Sequence, residues 1–106
     1  MDNHNKKVLV TGAHGFVGHA VVALLKKRGY TKILTPTSTE CEITKEDQVS
    51  AYFDKNSPQI VLHIAGKVGG IAANKANPGE FFYKNLMMGT LIMEYAKRHN
   101  CEKTVV

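Results

Sequence analysis

Val8-Leu9-Val10-Thr11 runs directly into Gly12-Ala13-His14-Gly15-Phe16-Val17-Gly18, and no other stretch of the chain restricts the fold so tightly. A short Val-rich run that stops at glycine fits a strand buried in a parallel sheet. Phe16, Val17, Ala20, Val21, Leu24 and Leu25 then recur at helical spacing, which predicts a helix with that stripe on the sheet. Lys26-Lys27-Arg28 and then Gly29 supply a basic last turn and a stop. Strand, glycine turn and helix in that order suit a pyrophosphate. The helix N-terminus offers backbone N–H groups and the positive end of its dipole, and side chains in the turn would hold phosphates away. Gly12 would turn the chain out of the strand, Gly15 would admit the phosphates, and Gly18 would let helix and strand pack closely. The bland alternative is an ordinary tight turn. The spacing is Gly-x-x-Gly-x-x-Gly, and no Gly-Lys-Ser or Gly-Lys-Thr occurs, so a Walker phosphate loop is excluded.

The remainder continues the alternation. Ile33-Leu34 begins a second strand that Pro36 ends, because proline cannot donate to a central ladder. Thr44, with Asp47 as capping partner, starts a second helix carrying Val49, Tyr52 and Phe53, and Asn56-Ser57-Pro58 closes it. A third strand spans Gln59 to Ile64, a glycine-bearing loop runs from Ala65 to Ala76, and Asn77 caps a long helix reaching about His99. Thr104-Val105-Val106 begins a fourth strand. The expected fold class is therefore α/β: a three-layer, Rossmann-type doubly wound parallel sheet of about four strands and three helices. If the third strand pairs on the far side of the first, a crevice opens beyond their carboxyl ends, bordered by the glycine turn and the Ala65 loop.

A chain of 106 residues, 43% hydrophobic, has room for one domain and no more. The polar N-terminus and the lack of a long apolar run predict a soluble, cytoplasmic protein with no membrane partner. Cys41 and Cys101 stand alone, which suggests reduced thiols rather than a disulfide or zinc site. The net charge of +5 favours anionic partners in general. Without interleaved aromatic and basic residues it gives no case for nucleic acid. An NAD-preferring domain usually has an acid about 20 positions past its glycine loop to hold the ribose hydroxyls. Here Thr35-Pro36-Thr37-Ser38 occupies that place. Its hydroxyls, together with His14, lean towards NADP(H), although Glu40 and Glu42 follow closely.

Taken together, Val10 to Val17, Thr35 to Ser38 with Glu40 to Thr44, His63 to Asn74 and Asn85 to Thr90 resemble the extended short-chain dehydrogenase/reductases. The Lys67-Val68-Gly69-Gly70-Ile71 loop and Asn85-Leu86-Met87-Met88-Gly89 point, within that family, to nucleotide-sugar epimerase/reductases acting on a GDP-linked sugar. The resemblance implies that Gly12, Ala13, His14, Gly15, Phe16, Val17 and Gly18 bind the pyrophosphate of NADP(H). It implies further that His14 and Ser38 lie near the adenosine 2′-phosphate, that Glu42 and Ile43 flank the adenine, and that Ala65, Gly66 and Lys67 line the nicotinamide side. Glu42 stands where the family often has Asp or Asn, and Gly66 where Ala is common. The family's Tyr-x-x-x-Lys is missing: Tyr30, Tyr52, Tyr83 and Tyr95 are followed four residues later by Leu34, Asn56, Met87 and His99. By that resemblance the chain is a partial cofactor-binding domain without the catalytic and substrate-binding parts. It is expected to be inactive alone and to belong to a homodimer when complete. A stand-alone dinucleotide-binding module is the alternative.

Some residues carry two readings each. His63 is a strand-end packing residue or an acid/base group, and Lys67 is a solvated loop lysine or a phosphate ligand. Asn85, unfavourable inside a helix, either makes a buried hydrogen bond or lies on a polar face. Met87, Met88 and Met93 are core filler or part of a dimer face. His14 and His19, five apart and without a carboxylate partner, predict no metal site.

Overall fold

The computed structural model describes residues 5–65 and 78–105. Four strands and three helices follow in strict alternation: β1 (Val8–Thr11), α1 (Phe16–Lys27), β2 (Ile33–Leu34), α2 (Glu46–Asn56), β3 (Ile60–His63), α3 (Pro78–Arg98) and β4 (Lys103–Val105). All pairings are parallel and the strand order is β2-β1-β3-β4. The chain thus steps to one side of β1 for β2 and returns on the other side for β3. With right-handed crossovers that reversal sends α1 to one face of the sheet and α2 and α3 to the other.

Side-chain alternation along β1 serves both faces. Val8 and Val10, with Ala13, pack on the α1 side against Val22, Leu25, Ile33 and Leu62. Leu9 points the other way into a larger cluster with Val49 and Phe53 of α2, Val61 of β3, and Leu91, Ile92, Tyr95 and Ala96 of α3. Tyr95 donates its hydroxyl to Glu46 Oε2 at 3.0 Å, and the Arg98 guanidinium lies 4.7 Å from the Tyr95 ring centre, so α2 and α3 are also joined at their polar margin.

The α1 stripe differs from expectation. Phe16 is 95% exposed and Val17 and Leu24 are more than half exposed, whereas Leu25 of the expected stripe does face inward, joined there by Gly18 and Val22. The physical reason is Gly18: an added Cβ there would lie 1.9 Å from the Gly12 carbonyl oxygen. The helix is phased by the one residue that can touch the turn, and the bulkier apolar residues rotate outward. Its C-terminus is a Schellman stop, with Tyr30 N–H donating to the Leu25 carbonyl, Gly29 N–H to the Lys26 carbonyl, and Gly29 at φ 95°.

The start of α2 also departs from expectation. Lys45 occupies the cap position without a side-chain bond, and Thr44 donates its hydroxyl to Glu42 Oε1 at 3.1 Å. The helix starts one residue later than a Thr44 cap requires, so Thr44 lies outside the capping position and its hydroxyl donates to Glu42 instead. Glu46 and Asp47 in the first turn complement the helix dipole in its place. Asn77, the expected cap of α3, lies outside the described residues. No helix among the described residues is long and apolar enough to cross a membrane.

Candidate functional site

The strand order puts the ends of β1 and β3 side by side, with Thr11 opposite His63. Beyond Thr11 the chain turns at Gly12, which adopts φ +70°, a conformation costly for residues bearing a Cβ. A Cβ at Gly12 would also sit 2.7 Å from both the backbone nitrogen and Cα of Ala65. Gly12 is therefore required twice, by its own torsion and by the strand end pressed against it. Gly15 N–H donates to the Gly12 carbonyl at 3.1 Å, closing the turn, and Gly15 then caps α1.

No side chain caps α1 and no acid lies in its first turn. Its N-terminus therefore keeps the N–H groups and partial positive charge that suit an anion. It faces a pocket of about 400 Å³, within the range of small-ligand sites. Thr11, Gly12, His14 and Gly15 line it from the turn, Pro36 to Ser38 and Cys41 to Ile43 from the segment after β2, Ala65 from β3, and Met88 from α3. A Cβ at Gly15 would meet nothing closer than the Gly12 oxygen at 3.5 Å, an ordinary contact. The fold itself has no need of glycine at that position. The room left there at a helix N-terminus fits the diphosphate of a dinucleotide.

Two walls of the pocket are tied down by short-range bonds. His14 Nε2 lies 3.2 Å from the Thr35 carbonyl oxygen and binds the turn to the end of β2. Glu40 accepts from both the N–H and the hydroxyl of Thr37, and the backbone bond, followed by the hydroxyl bond, lowers its pKa. Burial, with Glu42 nearby, pushes the Cys41 thiol up to about 11, so it stays protonated near neutral pH. A larger open hollow of about 790 Å³ adjoins this pocket through His14, Pro36 and Thr37 and runs along β2 to Tyr52 and Lys55 of α2. The smaller pocket is the better site because it holds the glycine turn and the helix N-terminus.

Of the residues expected in the site, Gly12, His14, Gly15, Ser38, Glu42, Ile43 and Ala65 come together around the pocket. Ala13 is buried among Val8 and Val10, Gly18 packs under the turn, and the side chains of Phe16 and Val17 point away into solvent. Gly66 and Lys67 lie outside the described residues. Pro36 and Thr37, from the segment whose hydroxyls are expected near the 2′-phosphate, also line the pocket, as do Thr11, Cys41 and Met88, which the sequence did not assign to it. Thr11 and Thr37 had a signal, as polar residues at carboxyl ends of strands; Met88, one of several helix methionines, had none. His63 is buried, with Nδ1 2.6 Å from Thr11 Oγ1, and burial lowers its pKa. Asn85 is exposed, so its polar-face reading holds.

The strand reversal, the glycine turn and the helix N-terminus define a dinucleotide-binding domain of the Rossmann type. The chain belongs to the NAD dependent epimerase/dehydratase family, whose model matches residues 8–106. It is 37% identical over 97 residues to GDP-L-colitose synthase of Yersinia pseudotuberculosis, covering 92% of this chain and 31% of that protein. It is 34% identical over 103 residues to GDP-L-fucose synthase 1 of Arabidopsis thaliana, covering 97% and 32%. The structure of GDP-mannoheptose C4 reductase from Campylobacter jejuni, solved with NADP bound, superposes with a TM-score of 0.91 at 30% identity, covering 98% of this chain and 30% of that one. The chain spans about a third of the length of the curated relatives it matches.

Proposed function

We propose that the chain is the NADP(H)-binding portion of a nucleotide-sugar epimerase/reductase of the GDP-L-fucose synthase type. The complete protein would epimerise C3 and C5 of a GDP-linked 4-keto-6-deoxy sugar and reduce its C4 ketone with NADPH. The observation that carries this reading is the α1 N-terminus, free of caps and acids, opening onto the pocket through a glycine that the fold does not need. The Campylobacter jejuni reductase was solved with NADP bound, and both curated relatives are named for GDP-sugar products.

On this reading the residues divide the cofactor among them. Backbone N–H groups of the turn and first helical turn bind the diphosphate, Ser38 and His14 hold the adenosine end, and Glu42 and Ile43 flank the adenine. Ala65, Gly66 and Lys67 form the nicotinamide side. Bound NADPH supplies the hydride for C4. The acid that protonates the new alkoxide is not among this chain's tyrosines, none of which precedes a lysine by four residues, so the 106 residues alone bind cofactor without turnover. The exposed Tyr83, Leu86 and Met93 on α3 offer an apolar stripe for a second copy in the complete homodimer.

A second reading, C4 reduction without epimerisation, is favoured by the similarity to the heptose C4 reductase. Both need the same cofactor site. Calorimetric titration of the chain with NADPH and NADH, beside Gly15→Asp, tests it: the parent binds NADPH more tightly, and the added carboxylate abolishes binding of both. A parent chain that binds neither refutes the reading. Product analysis of the complete protein on GDP-4-keto-6-deoxy-mannose separates epimerising from purely reducing chemistry.

A further inference from the structure

Thr11 and His63 sit opposite each other at the carboxyl ends of β1 and β3, both buried, with Oγ1 and Nδ1 2.6 Å apart. The Thr11 hydroxyl oxygen also accepts from the backbone N–H groups of Ile64 at 3.1 Å and Ala65 at 3.2 Å, the Ile64 N–H being shared with the Thr11 backbone carbonyl at 3.2 Å. A hydroxyl has one hydrogen and two lone pairs. With both lone pairs taken by the two amides, the hydrogen goes to His63 Nδ1, which is therefore the acceptor, and the ring proton resides on Nε2. The neutral ring in this one tautomer completes the network.

We propose that Thr11 and His63 form a positioning pair that holds the Ala65 end of β3 against the Gly12 turn and thereby sets the affinity of the dinucleotide pocket. This rests on the dinucleotide reading above. Ala65 lines the pocket, and its backbone stands where a Cβ on Gly12 would be only 2.7 Å away, so the two walls have no slack between them. The Ile64 amide is also held by the Thr11 backbone carbonyl, so it is release of the Ala65 amide from the Thr11 hydroxyl that lets one wall move relative to the other. Thr11 and His63 need not touch the cofactor for this.

The network also has a direction in pH. A protonated imidazole would aim an N–H from Nδ1 at an oxygen whose lone pairs are both engaged, so one bond must be lost. Burial opposes that protonation and keeps the His63 pKa below its usual 6.5, with no charged neighbour contributing. The network is complete above about pH 6.5 and is lost as pH falls through the lower folded-state value. Other ionisable groups around the pocket are His14 from the turn and Cys41 and Glu42 from the segment after β2, with Lys84 of α3 near Glu42.

The test is NADPH titration of this chain between pH 5 and 8, with thermal melting at each pH, for the parent, Thr11→Val, Thr11→Ser and His63→Asn. Valine keeps the shape and removes the hydroxyl, serine keeps the hydroxyl, and asparagine offers an acceptor near Nδ1 that does not titrate. Thr11→Val is expected to weaken NADPH binding about tenfold at pH 7.5, as loss of one buried polar network does, and Thr11→Ser to restore it. His63→Asn is expected to bind like the parent at pH 7.5 and to lack the parent's loss of affinity at low pH. Comparing parent with His63→Asn cancels the contributions of His14 and Glu42, which both retain. If Thr11→Val does not fold, the pH profile of His63→Asn decides.

Parent-like binding by Thr11→Val, failure of serine to rescue, or an unchanged acid limb in His63→Asn overturns the proposal. If the parent binds no dinucleotide, the dinucleotide reading fails by itself. The positioning claim is then decided by hydrogen exchange at the Ala65 amide, faster in Thr11→Val and restored in Thr11→Ser if the pair holds the strand end. Equal exchange in all three overturns it.

Discussion

Replacing Gly18 by alanine sets two opposing effects against each other at a position where their sizes are known. Alanine inside a helix gains about 1 kcal/mol over glycine through reduced backbone entropy. Its methyl group, however, would lie 1.9 Å from the Gly12 carbonyl oxygen, 2.6 Å from its carbon and 2.8 Å from Ala13 Cα. All three are backbone atoms of a closed turn, and none can rotate aside. Reaching ordinary contact means moving α1 outward by about 1.5 Å, which also lifts Val22 and Leu25 from the sheet. Overpacking of this kind costs roughly 3 kcal/mol at the upper end of its usual range. The clash therefore wins by about 2 kcal/mol, and a domain of this size should melt roughly 10–15 °C lower. Gly15→Ala is the matched control. Its Cβ meets only the Gly12 oxygen at 3.5 Å and its φ of −83° is ordinary for alanine. The control should melt within about 2 °C of the parent, yet bind NADPH at least about tenfold more weakly, because the methyl occupies room kept for phosphate. Circular-dichroism melts and calorimetric titration read both. A Gly18→Ala chain melting with the parent, or a Gly15→Ala chain losing stability instead, would refute the assignment of one glycine to the fold and the other to the ligand.

His14→Ala should weaken NADPH binding about tenfold while changing NADH binding by less than about threefold, as expected if the imidazole contacts the 2′-phosphate. Equal losses for both cofactors in the same titration would remove His14 from that role. Cys41, with its thiol near 11 against an ordinary 9, should react with iodoacetamide at pH 7.5 about a hundredfold more slowly than a free thiol, even before burial adds to the protection. Peptide mapping that finds Cys41 modified at the unhindered rate contradicts the buried placement. In the larger core, Phe53→Ala should cost about 3–5 kcal/mol in urea unfolding. Tyr95→Phe, which removes the hydroxyl's bond to Glu46 and the one it accepts from Arg98, should cost about 0.5–1.5 kcal/mol, and an equal loss from both changes would mean that the α2–α3 contact is held by its polar margin rather than its rings.

Most of the architecture could be read from local chemistry. Val8 to Thr11 ends at a glycine, Ile33-Leu34 ends before Pro36, and Gly29 stops α1, so the strand and helix limits lie where the chain's own torsional preferences put them. The crevice between β1 and β3 followed from the alternation and the rule for crossover handedness. What escaped the sequence depended on contacts across space. The apolar stripe of α1 gave no sign that Phe16 and Val17 face solvent, because the phase of the helix is fixed by Gly18 against the Gly12 carbonyl. Thr44 has the chemistry of a cap, but α2 begins one residue further on, with Lys45 at the cap position. Met88 reaches the pocket from α3, 77 positions after Thr11, and no local pattern distinguishes it from Met87 or Met93.

The same topology explains why binding and folding residues can alternate within seven positions of one turn. Because β2 and β3 lie on opposite sides of β1, the turn after β1 has neighbours below and beside it among the described residues, and a crevice lies beyond the strand ends between them. Gly12 meets the backbone of Ala65 and Gly18 meets the backbone of Gly12, so each is confined by the chain. Gly15, between them, faces the open side, and its α carbon is confined by nothing closer than ordinary contact. A glycine where the fold tolerates alanine is unexplained by packing, and under the function proposed above its place at a bare helix N-terminus leaves that space to the anionic group of the cofactor. Thr11 adds the remaining constraint, since its hydroxyl joins the two strand ends that form the floor of that space. The residues that fix the floor are therefore strand and turn residues buried against one another, while the residues that meet the ligand are those the fold leaves exposed to it.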